Sequence, residues 1–312
     1  MAFKPEPQTF TAKINTLNIG PGASGIVLGG ENVLPLYAFD AQIENRPKIG
    51  VAITDSGYRK GIPGIEKYYA GAETVVDVAK KAASMQGSDF LVICLDGAHP
   101  DNGDRSVEDC AALVKEIADE IDIPIVVEGC KSIEKDAKLF EKVSEAIQGK
   151  NILILSAREE NYKGVTAAGL AYAQNVGAES AVDINLAKQL NVLISQMGVK
   201  PGKMAMNLGA AAAGYGFEYV ASTIDRVKAA ALAQNDAMLQ MPVITPVYSE
   251  AWSVKESVVS EEDYPEWGPT EIRGVNMEIS TAAACLAAGS NAVILQHPDS
   301  VAVISALIDA LV

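Results

Sequence analysis

Eight short apolar runs, most of which contain β-branched residues, recur along the chain, and amphipathic stretches separate them. Runs this continuous are typical of parallel strands that are buried on both faces. Eight such strands alternating with helices predict an eight-fold parallel β/α barrel, the TIM barrel. The runs are KIGVAIT from Lys48, FLVICLD from Phe90, IPIVVEG from Ile123, NILILSA from Asn151, SAVDIN from Ser180, KMAMNLG from Lys203, PVITPVY from Pro242 and NAVILQHP from Asn291.

The chain before Lys48 follows a different pattern. TAKINTLNIG and SGIVLGGENVLPLYAF alternate in polarity and are broken by Gly and Pro, which predicts a hairpin. We expect an N-terminal hairpin extension over residues 1–47 and a barrel over residues 48–312, since such barrels use about 250 residues. A doubly wound open sheet is the alternative, but the segment TDSGYRKGIPG after the first strand lacks the G-x-G-x-x-G pattern of those sheets.

Charge and hydropathy exclude several classes of partner. The sequence has 40 acidic and 25 basic residues, a formal net charge of −15, which repels nucleic-acid phosphates and anionic membrane surfaces. The apolar runs are shorter than the ~20 residues of a membrane-spanning helix. The first residues, MAFKPEPQTF, lack the apolar core of a signal peptide. We expect a cytoplasmic protein that binds neither nucleic acid nor membranes.

The four cysteines form no C-x-x-C pair, so we expect no zinc or iron–sulfur site built by this chain alone. Cys94, Cys110 and Cys285 lie in strand-like or helix-like runs, as small buried hydrophobic residues do. Cys130 follows a strand end and is more open to a functional role.

The carboxyl ends of barrel strands carry the functional groups, so the residues that follow each run are the candidates. Both histidines stand there, each in a His-Pro-Asp tripeptide, at His99 and His297. Proline holds the preceding residue extended, and Asp299 or Ser300 can then cap the next helix. The histidines themselves remain open to rim contact, core hydrogen bonding or proton transfer. Asp96 and Glu128 also leave open a two-carboxylate hydrolase.

The loop after the sixth run, MNLGAAAAGYGFEYV, has almost no side chains beyond Cβ between Gly209 and Gly214. One interpretation is a tight turn into a helix, because glycine permits unusual backbone angles. The other is close approach of the backbone to a large flat ligand, with N–H groups near a helix start available to bind it. Asn207 would offer that ligand both a donor and an acceptor.

These motifs together resemble a known family. GGENVLPLYAFD (29–40), CLDGAHPDN, EGC, ILSA, MNLGAAAAGYGFEY and ILQHPDSV are similar to the small subunit of the corrinoid iron–sulfur protein, a family that includes the acetyl-CoA decarbonylase/synthase delta subunit. The resemblance covers essentially the whole chain and is closer to the bacterial form.

The resemblance implies a methyl-carrier subunit of the reductive acetyl-CoA (Wood–Ljungdahl) pathway of carbon dioxide fixation. Its partners would be a large subunit, which carries the iron–sulfur cluster and a cobamide-binding domain in a heterodimer, a methyltetrahydrofolate:corrinoid methyltransferase, and acetyl-CoA synthase. The cobamide (cobalamin) would lie between the large subunit and the carboxyl face of this barrel. Cobalt carries the chemistry, so no catalytic residue or metal ligand is expected here.

The residues expected to contact the cobamide follow from this placement on the rim. Asn207, His99 and Gln296 would contact its amide side chains, and the small residues would let the corrin edge approach. The full set is Asp96, His99, Asn207, Gly209, Ala210, Ala211, Ala212, Gly214, Tyr215, Gln296 and His297. Two alternatives remain: an autonomous pterin-dependent TIM-barrel methyltransferase, and a scaffold that only recruits partners.

Overall fold

A computed structural model describes residue 4 and residues 6–35 and 40–312. The strands are β1 (Leu17–Ile19), β2 (Ile26–Leu28), β3 (Lys48–Thr54), β4 (Phe90–Cys94), β5 (Ile125–Glu128), β6 (Leu153–Ala157), β7 (Asn175–Glu179), β8 (Met204–Asn207), β9 (Ile244–Thr245) and β10 (Ala292–Leu295). The helices are α1 (Pro63–Tyr69), α2 (Val75–Ala83), α3 (Val107–Glu120), α4 (Ile133–Ala146), α5 (Tyr162–Ala171), α6 (Ile184–Gln196), α7 (Phe217–Ala233), α8 (Val247–Ala251), α9 (Lys255–Val258), α10 (Thr270–Ala288) and α11 (Pro298–Leu311).

Strands β3 to β10 form the predicted barrel. Neighbours in the order β8-β7-β6-β5-β4-β3-β10-β9 all pair in parallel. A parallel bridge between Met206 and Val243 joins the two ends, where the Met206 N–H donates to the Pro242 carbonyl at 2.8 Å. The TIM-barrel prediction is therefore confirmed.

The fifth barrel strand lies one segment earlier than predicted. The strand is Asn175–Glu179, whereas the run SAVDIN from Ser180 forms a turn and the start of α6. Val182 has a left-handed φ of 67°, and the Asp183 carboxylate caps the helix by accepting the N–H of Asn185 at 2.8 Å. The true strand has a weak apolar pattern because Gly177 replaces a large residue: a Cβ there would lie 2.4 Å from Leu155 Cδ1.

Two apolar layers make up the core. One packs between the strands and the helices, and the other fills the barrel interior. Phe90 and Leu155 belong to the inner layer, and Gly50 makes room for Phe90, since a Cβ there would lie 2.3 Å from Phe90 Cε2. Leu17 and Ile19 also belong to the inner layer. Strands β1 and β2 pair antiparallel, so the predicted N-terminal hairpin exists and seals the interior.

Some N-terminal expectations reach beyond the described residues. The segment 29–40 that contributes to the family resemblance includes residues 36–39, which lie outside the described part of the chain, as do residues 1–3 and 5. The division into an extension over 1–47 and a barrel over 48–312 stays a prediction. No helix of the described part is long and apolar enough to cross a membrane.

A buried ion pair ties the N-terminal segment to the barrel. Lys228 on α7 is 1% exposed, and its Nζ lies 2.7 Å from Glu31 Oε1 and 2.7 Å from Asn291 Oδ1. The Asn291 amide also donates to Glu31 Oε1 at 2.8 Å. Burial raises the pKa of Glu31, but attraction to Lys228 and these hydrogen bonds outweigh it, so that pKa lies below its ordinary value.

Replacing Lys228 by Met should leave Glu31 as an unpaired buried carboxylate. We expect Lys228→Met to lower the free energy of unfolding by about 3–5 kcal/mol, the usual cost of removing one partner of a buried pair. Urea denaturation measures this loss. The double variant Lys228→Met/Glu31→Gln should recover part of it. Lys188→Met removes the exposed pair with Asp236 and should cost less than about 1 kcal/mol; equal losses at both lysines would contradict the assignment.

Candidate functional site

A cavity of about 300 Å³ opens at the carboxyl ends of β5, β6, β7 and β8. We call it the mouth cavity. The loop after β8 and the start of α8 complete its wall. Its lining residues are Glu128, Gly129, Lys131, Asp136, Leu155, Ser156, Arg158, Glu179, Ala181, Val182, Asn207, Gly209, Ala210, Pro246, Ser249 and Glu250.

Glu128 is a buried carboxyl group of this cavity wall, with 9% of the residue exposed. The Tyr248 hydroxyl donates to Glu128 Oε2 at 2.7 Å, and Cys94 Sγ lies 2.9 Å from the Tyr248 hydroxyl. Because that hydroxyl proton is used on Glu128, the thiol is the donor to Tyr248. Oε1 has no hydrogen-bond partner among the described residues. This chain of contacts holds the carboxyl group in one orientation.

Burial dominates the ionisation of this network. It raises the pKa of Glu128 to about 7, while the hydrogen bond from Tyr248 and the charge of Lys131 oppose the rise. Burial also raises the pKa of Cys94 and of Tyr248. The thiol and the phenol therefore stay neutral near pH 7, whereas Glu128 titrates there.

Asn207 ends β8 inside the cavity. Its Nδ2 donates to Ser156 Oγ at 3.2 Å, and its Oδ1 accepts the N–H of Gly209 at 3.0 Å. Gly209 has a left-handed φ of 84°, which only glycine adopts without strain, so the chain can turn sharply at the strand end. The Asn207 side chain thus sits between two strand ends with one amide N–H not used in these bonds.

The residues of the alanine-rich loop, 209–215, do not all face the mouth cavity. Gly209 and Ala210 line the cavity and Ala211 is half-buried, but Ala212 is only 1% exposed and packs inward. The next residues turn away along α10 and α9. The N–H of residue 213 donates to Thr281 Oγ1 at 3.1 Å, and beyond the exposed Gly214 the Tyr215 hydroxyl donates to Glu256 Oε2 at 2.5 Å.

Asp96 and His99 lie on the segment after β4 and do not line the mouth cavity. Burial raises the pKa of Asp96, and the charge of Lys131 opposes that rise. His99 Nδ1 accepts the N–H of Asp101 at 3.1 Å, so this histidine closes the turn at its own His-Pro-Asp tripeptide.

Gln296 and His297 are also outside the cavity wall. The Gln296 N–H donates to the buried Glu278 at 2.8 Å. His297 is 1% exposed, stacks on Trp252 with ring centroids 5.8 Å apart, and places Nε2 3.0 Å from Glu271 Oε1. Its Nδ1 accepts the N–H of Asp299 at 3.1 Å. His297 is therefore the N-cap residue of α11. The expectation that Asp299 or Ser300 caps this helix is wrong.

The structure therefore brings together only part of the expected set. Asn207, Gly209 and Ala210 share the mouth cavity. Glu128 and Ser156 also line this cavity. Their positions at the ends of apolar runs in the sequence indicate a place on this rim. Arg158, which pairs with Glu179 at 2.8 Å, follows its strand by one residue and gave no such signal.

The cysteines show no metal-binding arrangement. All four are buried and free, including Cys130, whose pKa burial raises to about 12. Among the described residues, no group of three or more His, Cys, Asp or Glu side chains could hold a metal ion.

The family model and similar known sequences both identify a delta subunit. The sequence family described as CO dehydrogenase/acetyl-CoA synthase delta subunit matches residues 16–307. The acetyl-CoA decarbonylase/synthase complex subunit delta 2 of Methanosarcina acetivorans is 30% identical over 299 residues, which are 94% of this chain and 67% of that protein. The delta subunit of Methanothermobacter thermautotrophicus is 30% identical over 303 residues, 96% of this chain and 76% of that protein.

Solved structures share the fold at low sequence identity. Dihydropteroate synthase of Xanthomonas albilineans superposes with a TM-score of 0.58 at 12% identity, covering 95% of this chain and 98% of that one. The dihydropteroate synthase of Coxiella burnetii superposes with a TM-score of 0.57 at 10% identity, covering 86% of this chain and 94% of that one. These structures show a common barrel architecture.

His297 should matter more to stability than Asp299. We expect His297→Ala to lower the free energy of unfolding by at least about 1 kcal/mol, because a helix cap and buried ring packing are lost together. Asp299 is exposed, so Asp299→Ala should stay within about 0.5 kcal/mol of the unsubstituted chain. Denaturant titration of both variants decides the order, and a larger loss at Asp299 would refute it.

Glu128 should make stability fall as pH rises. Its folded pKa of about 7 lies above the ordinary value of 4.5, so the folded state holds this proton more tightly, and stability is lost between those two pH values. We expect Glu128→Gln to be more stable than the unsubstituted chain at pH 8, by on the order of 2 kcal/mol, and similar to it at pH 4.5. Denaturation midpoints at both pH values test this. Glu159→Gln, at an exposed site, is the control and should show no such pH dependence.

Proposed function

The chain belongs to the CO dehydrogenase/acetyl-CoA synthase delta subunit family, and on this basis we propose that it is the small subunit of a corrinoid methyl carrier in the reductive acetyl-CoA pathway. The observation that carries this assignment is the extent of the family match, which runs from the residue before β1 into α11. The chain would pair in the cytoplasm with a larger, cobamide-carrying subunit. Its task would be to enclose and orient the cobamide.

The size of the mouth cavity bears on how a cobamide would lie. A volume of about 300 Å³ is at the lower limit of pockets that hold drug-sized ligands, and a corrin macrocycle is larger. The ring would therefore lie across the mouth, with only a peripheral group inside. Gly209 and Ala210 suit this placement because their small side chains let a ring edge approach the loop.

The polar groups of the rim fit a neutral, amide-rich ligand. Asn207 offers an amide N–H and Ser156 a hydroxyl, and Glu128 offers a carboxyl oxygen without a partner in the described residues. When bound, the cobalt of the cobamide would carry the methyl group between a methyltransferase and acetyl-CoA synthase. The residues of this chain would bind the periphery of the ring, orient it and exclude water.

The iron–sulfur cluster would belong to the partner. The four cysteines of this chain are buried in separate elements or loops, and burial raises the pKa of each thiol. Thiolates are the metal-binding form, so these cysteines suit packing better than ligation.

One alternative is an autonomous pterin-dependent methyltransferase. The fold neighbours include dihydropteroate synthases solved with 7,8-dihydropteroate and with pteroic acid. Assay of the purified chain alone separates the two proposals: a carrier subunit turns over no methyl donor by itself, and an autonomous enzyme does.

Co-expression with the cobamide-carrying subunit tests the carrier proposal. We expect the two chains to co-purify as a coloured heterodimer that contains cobalt and iron, and the chain expressed alone to be folded, colourless and free of iron. Metal analysis and visible absorbance of both preparations measure this. Failure to form the heterodimer, or stoichiometric iron on the isolated chain, would contradict the assignment.

A long side chain at Ala210 should obstruct the cobamide. We expect Ala210→Arg to fold and to pair normally, because this residue is half-buried at the mouth. Methyl transfer to the cobamide should slow by up to about 100-fold, since a displacement of about 1 Å can cost that much where positioning is the contribution of the protein. Absorbance at matched cobamide content measures the rate. Ala302→Arg, on an exposed position of α11, is the matched control and should transfer at the unsubstituted rate.

A further inference from the structure

We propose that the mouth cavity binds a carboxamide edge, that is, an N–H donor beside a C=O acceptor, with Glu128 as the residue that anchors the N–H. Two sources offer this edge: a peripheral carboxamide of a corrinoid, and the cyclic amide of a bicyclic heterocycle. For the corrinoid source, the inference rests on the proposed function and names the part of the cobamide that enters the barrel.

The acceptor for the N–H is in place. Tyr248 already fills one hydrogen-bonding position of the Glu128 carboxyl group, and Oε1 has no partner among the described residues. A buried polar atom without a partner costs free energy, so a group that donates to it contributes to binding. Tyr248 and Cys94 fix the carboxyl group beforehand, so little ordering is left for the ligand to induce.

The donors for the C=O are in the same cavity. Asn207 uses one amide N–H on Ser156, so its second N–H remains for a ligand. Ser156 accepts that bond and keeps its own hydroxyl proton. Acceptor and donors together match an amide, which needs both. A pure cation would leave the donors of Asn207 and Ser156 unused.

The charges of the cavity wall argue against an anionic ligand. Lys131 and Arg158 are the two basic residues of the wall, and Arg158 is already paired with Glu179. Four acidic residues face them: Glu128, Asp136, Glu179 and Glu250. An anion such as a phosphate would therefore meet excess negative charge, whereas a neutral amide avoids this repulsion.

Calorimetric titration of the full chain at pH 7, where the cyclic amide of the second probe still holds its proton, tests the site with two probes. Dicyanocobinamide presents corrin carboxamides without the nucleotide of a full cobamide, and 2-amino-4-oxopteridine presents a cyclic amide. We expect at least one probe to bind and Glu128→Gln to weaken it about tenfold or more, because the amide of glutamine presents a donor or a weaker acceptor in place of a carboxylate. Glu159→Gln removes the same charge from an exposed loop and should change affinity less than twofold.

The pH dependence of binding gives a second, independent reading. Glu128 accepts best when ionised, so affinity for dicyanocobinamide, whose carboxamides do not titrate in this range, should rise between pH 6 and pH 8 in the unsubstituted chain and stay level in Glu128→Gln. The groups that face Glu128 are Cys94 on β4, Tyr248 on α8, Glu179 on β7, and Asp96 and Lys131 on the loops after β4 and β5. Neither Cys94 nor Tyr248 ionises in this range, since burial raises the pKa of both.

Each outcome decides the question. Binding of dicyanocobinamide that depends on Glu128 supports the corrinoid source, and binding of the pteridine alone supports the heterocycle. If neither probe binds, or if Glu128→Gln binds as tightly as the unsubstituted chain, the site is refuted. Folding of Glu128→Gln is checked by its melting temperature. Heterodimer formation is measured separately, so a failed partner assignment with intact probe binding refutes only the proposed function.

Discussion

The parallel hydrogen bonding of the eight barrel strands determines where everything else lies. Because all strands run the same way, the residues that follow them converge on one rim. Glu128 pairs in register with Cys94 on one side and with Leu155 on the other, so a carboxyl group and a thiol on neighbouring strands come into reach of Tyr248. Cys94, Glu128 and Tyr248 are far apart in sequence, and the register of the parallel strands brings them together.

The opposite end of the barrel is closed by the N-terminal hairpin, so the rim at the carboxyl ends of the strands is the open one. Leu17 and Ile19 of the N-terminal hairpin pack with the inner layer, and glycines at positions 50 and 177 give space to Phe90 and Leu155. The interior is therefore filled with side chains up to the level of Glu128, as in other barrels of eight strands. What remains is a small polar cavity in place of a channel.

Much of the fold followed from the sequence, and the exceptions have physical causes. Seven of the eight runs overlap barrel strands because each is short, apolar and nearly continuous, whereas β7 has no such run because Gly177 yields its space to Leu155. At the site, Asn207 could be placed by its strand end. The capping by His297 and the inward packing of Ala212 could not, because both depend on tertiary neighbours such as Trp252.

The ion pair of Lys228 with Glu31 has a consequence for biosynthesis. Asn291 hydrogen-bonds to both members, and it precedes β10, which is the strand that pairs with β3. The N-terminal segment and β3 are made early, whereas β10 and Asn291, which lies 260 residues after Glu31, are made much later. Until then the nascent chain carries an uncovered strand edge, a template for unwanted pairing. A chaperone or an early assembly partner would protect this edge best before β10 has been made.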